Sequence, residues 1–106
     1  MKKINKNQIT IRTALDNFLA RKSAEGLSAT TLDNYVITLQ VFMSDNGFDD
    51  LEPISSITDE VILKWKTEMV EAGCRAKASI NHYLRDFRVF CNFITDFYGE
   101  SKKKSL

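Results

Sequence analysis

Lys77, Asn81, Arg85, Arg88 and Asn92 follow one another at intervals of four, four, three and four residues. On a helix turning about 100° per residue, that rhythm gathers all five on one arc. Ammonium, guanidinium and carboxamide groups in a row are cations and hydrogen-bond donors. They suit a polyanion, above all a phosphate backbone. Ile80, Tyr83, Leu84, Phe87, Phe90, Cys91, Ile94, Phe97 and Tyr98 fall on a second arc, about a quarter turn or more away, which is fit for burial. The stretch from Ser79 to Phe90 therefore predicts an amphipathic helix with one face for a core and one for a phosphate-rich partner.

Catalytic patterns are missing. The chain has no Gly-rich phosphate loop, no Gly-x-Ser-x-Gly and no His-Glu-x-x-His. The sole histidine, His82, lies off the apolar arc and reads as a lone surface residue able to touch a partner. Tyr35 and Tyr83 lie on core arcs and read as packing residues. No insulated acid pair points to acid–base chemistry. Cys74 and Cys91 have no metal-ligand spacing with His82, so neither a metal nor another cofactor is expected. The two cysteines read as reduced thiols, Cys91 on a core face and Cys74 near a turn. The chain is expected not to be an enzyme.

At 106 residues and 43% hydrophobic, the sequence supports a single packed domain. No apolar run approaches the roughly 18 residues of a membrane helix, and the basic start lacks the apolar stretch of a secretory signal. A cytoplasmic protein with no membrane partner is expected. The net charge of +1 is unevenly spread. Residues 1–44 hold six bases and three acids, residues 45–71 two bases and eight acids, and residues 72–106 seven bases and three acids. An acidic middle lies between basic ends.

Four helices are needed to position these groups. The first starts after Thr10, buries Ile11, Leu15, Phe18 and Leu19, and stops at Gly26. The second is capped by Ser28, buries Leu32, Tyr35, Val36, Leu39, Phe42 and Met43, and ends at Asn46-Gly47. A connector follows, with Phe48, Leu51, Ile54 and Ile57 expected to pin it to the core. Thr58 caps the third helix, with Asp59 and Glu60 suited to its positive end. Ile62, Trp65 and Met69 form its buried stripe, and Gly73 stops it. The fourth begins around Arg75 to Ser79 and runs to about Tyr98. No strand is predicted, so the fold class is all-α, a small orthogonal four-helix bundle. Residues 1–9 are expected to be a flexible segment, 10–98 the helical domain, and 99–106 a tail or the start of a linker. Ile37, Val41, Leu63 and Val70 lie off the main core arcs. A bundle of this kind is expected to cover them as second faces of its middle helices. Left exposed, they would mark a helical protein-interaction module, the alternative reading.

The second and fourth helix starts share a logic: a glycine stop, a turn rich in hydroxyls or bases, then a long amphipathic helix. Such N-termini offer free N–H groups to phosphate. Simple capping at Ser28 needs one hydroxyl, which leaves Thr30 and Thr31 available. The pattern Gly-Leu-Ser-x-x-Thr-Leu-x-x-Tyr-x-x-x-Leu-x-x-Phe over residues 26–42 resembles the second helix of the core-binding domain of tyrosine recombinases (phage integrases). Residues 73–90 resemble its fourth helix through Gly-x(5)-Ser-Ile-Asn-x-x-Leu-x-x-Phe-Arg-x-Phe, and Ile57 to Ile62 resemble the start of its third. The likeness extends over roughly residues 9–98.

That resemblance implies a SAM-like helical bundle that clamps duplex DNA at a recombination site, joined to a separate catalytic domain absent from this chain. It implies DNA contacts from Ser28, Thr30, Thr31 and Asn34 on one helix. On the other they come from Lys77, Ser79, Asn81, His82, Arg85 and Arg88. It also implies other recombinase subunits as partners in a synaptic complex. Ser79 stands where the family often has Thr, and the family's frequent Asn-Pro after the last helix is missing. Tyr98 is not the family's nucleophile, which belongs to the catalytic domain.

Overall fold

The computed structural model describes residues 9–99. Among them are four α-helices and no strand. These are α1 (Ile11–Ala24), α2 (Ala29–Asn46), α3 (Asp59–Ala72) and α4 (Lys77–Tyr98), with a short 3-10 turn, Ile54–Ser56, ahead of α3. Apart from Ile9 and Gly99, the predicted N-terminal segment and tail lie outside the described residues.

Local chemistry sets the helix ends. The hydroxyls of Thr10, Ser28 and Thr58 accept from the backbone N–H groups of Thr13, Thr31 and Val61. Each satisfies a donor that the first turn leaves unpaired. Gly47 and Gly73 close α2 and α3 at φ of 70° and 68°, a region costly for any residue with a Cβ. The start of α4 differs: Ala76 is its N-cap, and no side chain caps the first turn.

Packing centres on α4, which meets α1, α2 and α3. Phe42 of α2 stacks on Phe87 of α4 with ring centroids 4.2 Å apart, and Trp65 of α3 meets Phe42 edge-on at 5.0 Å. Phe18 of α1 meets Phe90 edge-on at 5.3 Å. Such pairs contribute about 0.5–1.5 kcal/mol each beyond the burial of their area. Tyr35 reaches Phe90 through Phe18, Thr38 meets Asp86, and Asp45 meets Arg75 just ahead of α4. As numbers rise along α2 they fall along α4, so the two helices run antiparallel. The connector is tied to the start of α1, where Ile11 N–H donates to the Glu52 carbonyl and Ile54 N–H to the Ile9 carbonyl, both at 2.8 Å.

Several side chains depart from expectation. Leu51 does not pin the connector; it is 78% exposed, in a turn where Asp49 accepts from the Leu51 N–H. Phe97 is exposed, whereas Phe93, outside the predicted arc, is buried. The reason is α1, whose Phe18 stands 5.4 Å from Phe93 and closes that flank. Ile37, Leu63 and Val70 are 47%, 63% and 59% exposed, so the predicted second faces are not covered there; only Val41 of that group packs on the core. No described helix is long and apolar enough to cross a membrane.

Candidate nucleic-acid interface

Lys77, Asn81, Arg85, Arg88 and Asn92 are all exposed. They span about 80° of the α4 surface at 100° per residue. Elsewhere Arg12 pairs with Asp16 and Asp50, Lys22 with Glu25 and Lys64 with Glu68, while Arg21 lies over the Phe93 and Phe97 rings. Lys77 and Arg88 form no ion pair among the described residues. Their charge is therefore left to act on solvent or a ligand. Arg88 also lines a cavity of about 240 Å³ with Lys66 of α3, a second cation without a described ion pair. Sequence reasoning missed Lys66 because it sits on another helix. It also passed over Asp96, exposed on the same arc, which ends the positive stretch after about four turns.

At the α2–α4 seam the stripe meets a buried carboxylate. Asp86 is 6% exposed, among aromatic neighbours on α4. Its Oδ2 lies 3.1 Å from His82 Nε2 and 3.5 Å from the Thr38 hydroxyl of α2, and its Oδ1 lies 3.6 Å from Arg85 Nε. Arg85 Nη2 lies 2.9 Å from His82 Nδ1. Guanidinium can only donate, so Nδ1 accepts and the ring proton sits on Nε2, where Asp86 accepts it. His82 is thus half-buried and bonded on both nitrogens rather than a lone surface residue. The His-x-x-x-Asp spacing signals one helix face, and only the tertiary structure buries the acid.

The remaining predicted residues separate. Ser28 Oγ accepts from the Thr31 N–H at 3.3 Å and shares a hydrogen bond with the Thr31 hydroxyl at 3.1 Å. Both hydroxyls belong to the cap, so Thr31 is not spare as expected. Thr30 is exposed, and Asn34 is half-buried one turn before Thr38. The antiparallel pairing leaves Ser28, Thr30 and Thr31 about 21–26 Å along α2 from Asp45, at the end away from Lys77 and Ser79. Ser79 is exposed but lies about 160° around α4 from Lys77. His82 and Arg85 meet at the seam beside Thr38, whereas Asn34 lies a turn earlier on α2, toward the level of Phe90, and the two helix starts stand apart from both.

Comparisons with protein-family models, curated proteins and solved structures find no match.

The other polar centre has a different character. Asp45, Trp65 and Arg75 line a cavity of about 250 Å³ between α2, α3 and the turn into α4. Arg75 grips both Asp45 oxygens, at 2.8 and 3.3 Å, and lies over the Tyr83 ring. Its charge is consumed within the protein. No group of His, Cys, Asp and Glu among the described residues is arranged to hold a metal ion.

Proposed function

We propose that this chain is a DNA-binding module of the core-binding kind found in tyrosine recombinases, a SAM-like orthogonal bundle that holds duplex DNA at a recombination site. Strand cleavage is assigned to a separate domain, and this chain acts in the cytoplasm without a cofactor. The observation that carries the reading is the exposed arc of Lys77, Asn81, Arg85, Arg88 and Asn92, with Lys77 and Arg88 uncompensated. Such a row follows a phosphate backbone along one groove edge. The α4 N-terminus, with no side-chain cap, adds free N–H groups at the same end as Lys77.

The test is titration of a labelled mixed-sequence duplex at several salt concentrations. Binding in the micromolar range or weaker is expected, falling steeply as salt rises. Lys77→Ala and Arg88→Ala each flatten the slope of log K against log salt by about one. Binding that ignores salt, or no binding at low salt, sinks the reading.

One observation favours a second reading, a helical protein-interaction module. Leu63 and Val70 lie two turns apart on one face of α3, and both are exposed. Other recombinase subunits in a synaptic complex would meet such a face, so the two readings are compatible. Self-association without DNA binding selects the second alone.

A further inference from the structure

Asp86 is an acid buried under a face read as DNA-binding. By charge alone it opposes a polyanion. Its surroundings give it another task. It accepts the Nε2 proton of His82 at 3.1 Å, and this leaves Nδ1 free to accept from Arg85 Nη2 at 2.9 Å. The Thr38 hydroxyl approaches the same carboxylate from α2 at 3.5 Å, so two helices hold the acid in place. Arg85 itself is 71% exposed, and a free arginine there would sample many rotamers.

We propose that Asp86 is a positioning residue for Arg85, acting through the His82 imidazole. This deepens the DNA-binding reading and rests on it. With one Nη2 hydrogen held by His82 and Nε turned toward Asp86, the other edge of the guanidinium keeps a parallel pair of donors, one N–H of Nη1 beside the second N–H of Nη2. That edge fits two adjacent acceptors on duplex DNA, either the non-bridging oxygens of a phosphate or O6 and N7 of guanine. Holding the side chain beforehand lowers the entropy lost on binding.

The sign of one substitution separates positioning from plain electrostatics. Removing a negative charge beside DNA should tighten binding if Asp86 only repels. Positioning predicts that Asp86→Ala binds a mixed-sequence duplex about tenfold more weakly, whereas Asp86→Asn, which keeps an acceptor for the imidazole, stays within about threefold of the unaltered chain. In an Arg85→Ala background, Asp86→Ala should produce no further loss. Circular dichroism checks that each variant folds. Nitrogen-15 NMR of the single histidine in the unaltered chain should show the Nε2–H tautomer.

An Asp86→Ala variant that binds as well or better overturns the proposal. So does an equal loss in the Arg85→Ala background, or an Nδ1–H tautomer. A duplex of A·T pairs alone assigns the acceptor: retained dependence on Arg85 selects phosphate, and lost dependence selects guanine. Failure of the unaltered chain to bind any duplex overturns the DNA reading instead, and the tautomer measurement still decides the clamp.

Discussion

Trp65 donates its indole N–H to Asp45 Oδ2 at 2.9 Å, joining the middle of α3 to the end of α2. Arg75 grips the same carboxylate, so one acid ties α2, α3 and the turn into α4 together. Trp65 is fully buried, and its N–H has no other described partner. Asp45→Ala should strand that donor and release Arg75. A loss of about 1–3 kcal/mol in stability is expected. Urea titration followed by the fluorescence of the single tryptophan measures it.

The same pairing makes acid stability depend on Asp45. Burial works against its charge, but hydrogen bonds from Arg75 and Trp65, with the charge of Arg75, overcome this and hold its carboxyl below the ordinary 3.8. A lowered folded-state value means that the unfolded chain takes up the proton first as pH falls. The contribution is therefore fully present well above 3.8 and is lost as pH drops through the folded value. Asp45→Asn should show less acid destabilisation below that point in urea midpoints taken across a pH series. An unchanged acid limb would contradict the assignment.

The two thiols should separate kinetically. Burial first, and the charge of Asp59 second, push the Cys91 thiol up to about 12. Cys74 is exposed in the turn before α4. Near neutral pH a thiol reagent should label Cys74 quickly and Cys91 only on unfolding, because the thiolate is the reactive form. Mass spectrometry of the labelled peptides decides it; prompt labelling of Cys91 would refute the burial argument.

Leu63 and Val70 should not matter to the fold. Replacing both with Glu is expected to change stability by about 0.5 kcal/mol or less, since neither is covered. If the α3 face mediates association, the double variant abolishes it in sedimentation while DNA binding by α4 persists.

Most helix ends were legible because each depends on neighbours in sequence. Thr10, Ser28 and Thr58 cap the turns that follow them, and Gly47 and Gly73 supply the left-handed residue where α2 and α3 stop. The α4 stripe was legible for the same reason, as periodicity is a local property. Thr31 was misjudged because one hydroxyl suffices for a cap, yet here the second joins the first.

What the chain order determined by itself is therefore the set of helices and the face on which each cation stands, since both follow from backbone periodicity and capping within a few residues. Tertiary structure decided the rest. It buried Phe93 against Phe18 of α1 and left Phe97, one turn further along the same flank of α4, partly open. It also set Thr38 of α2 against Asp86, turning an acid that looks like surface into the buried partner of His82. Contacts between residues 48 positions apart depend on how two helices cross, and no local pattern encodes that crossing.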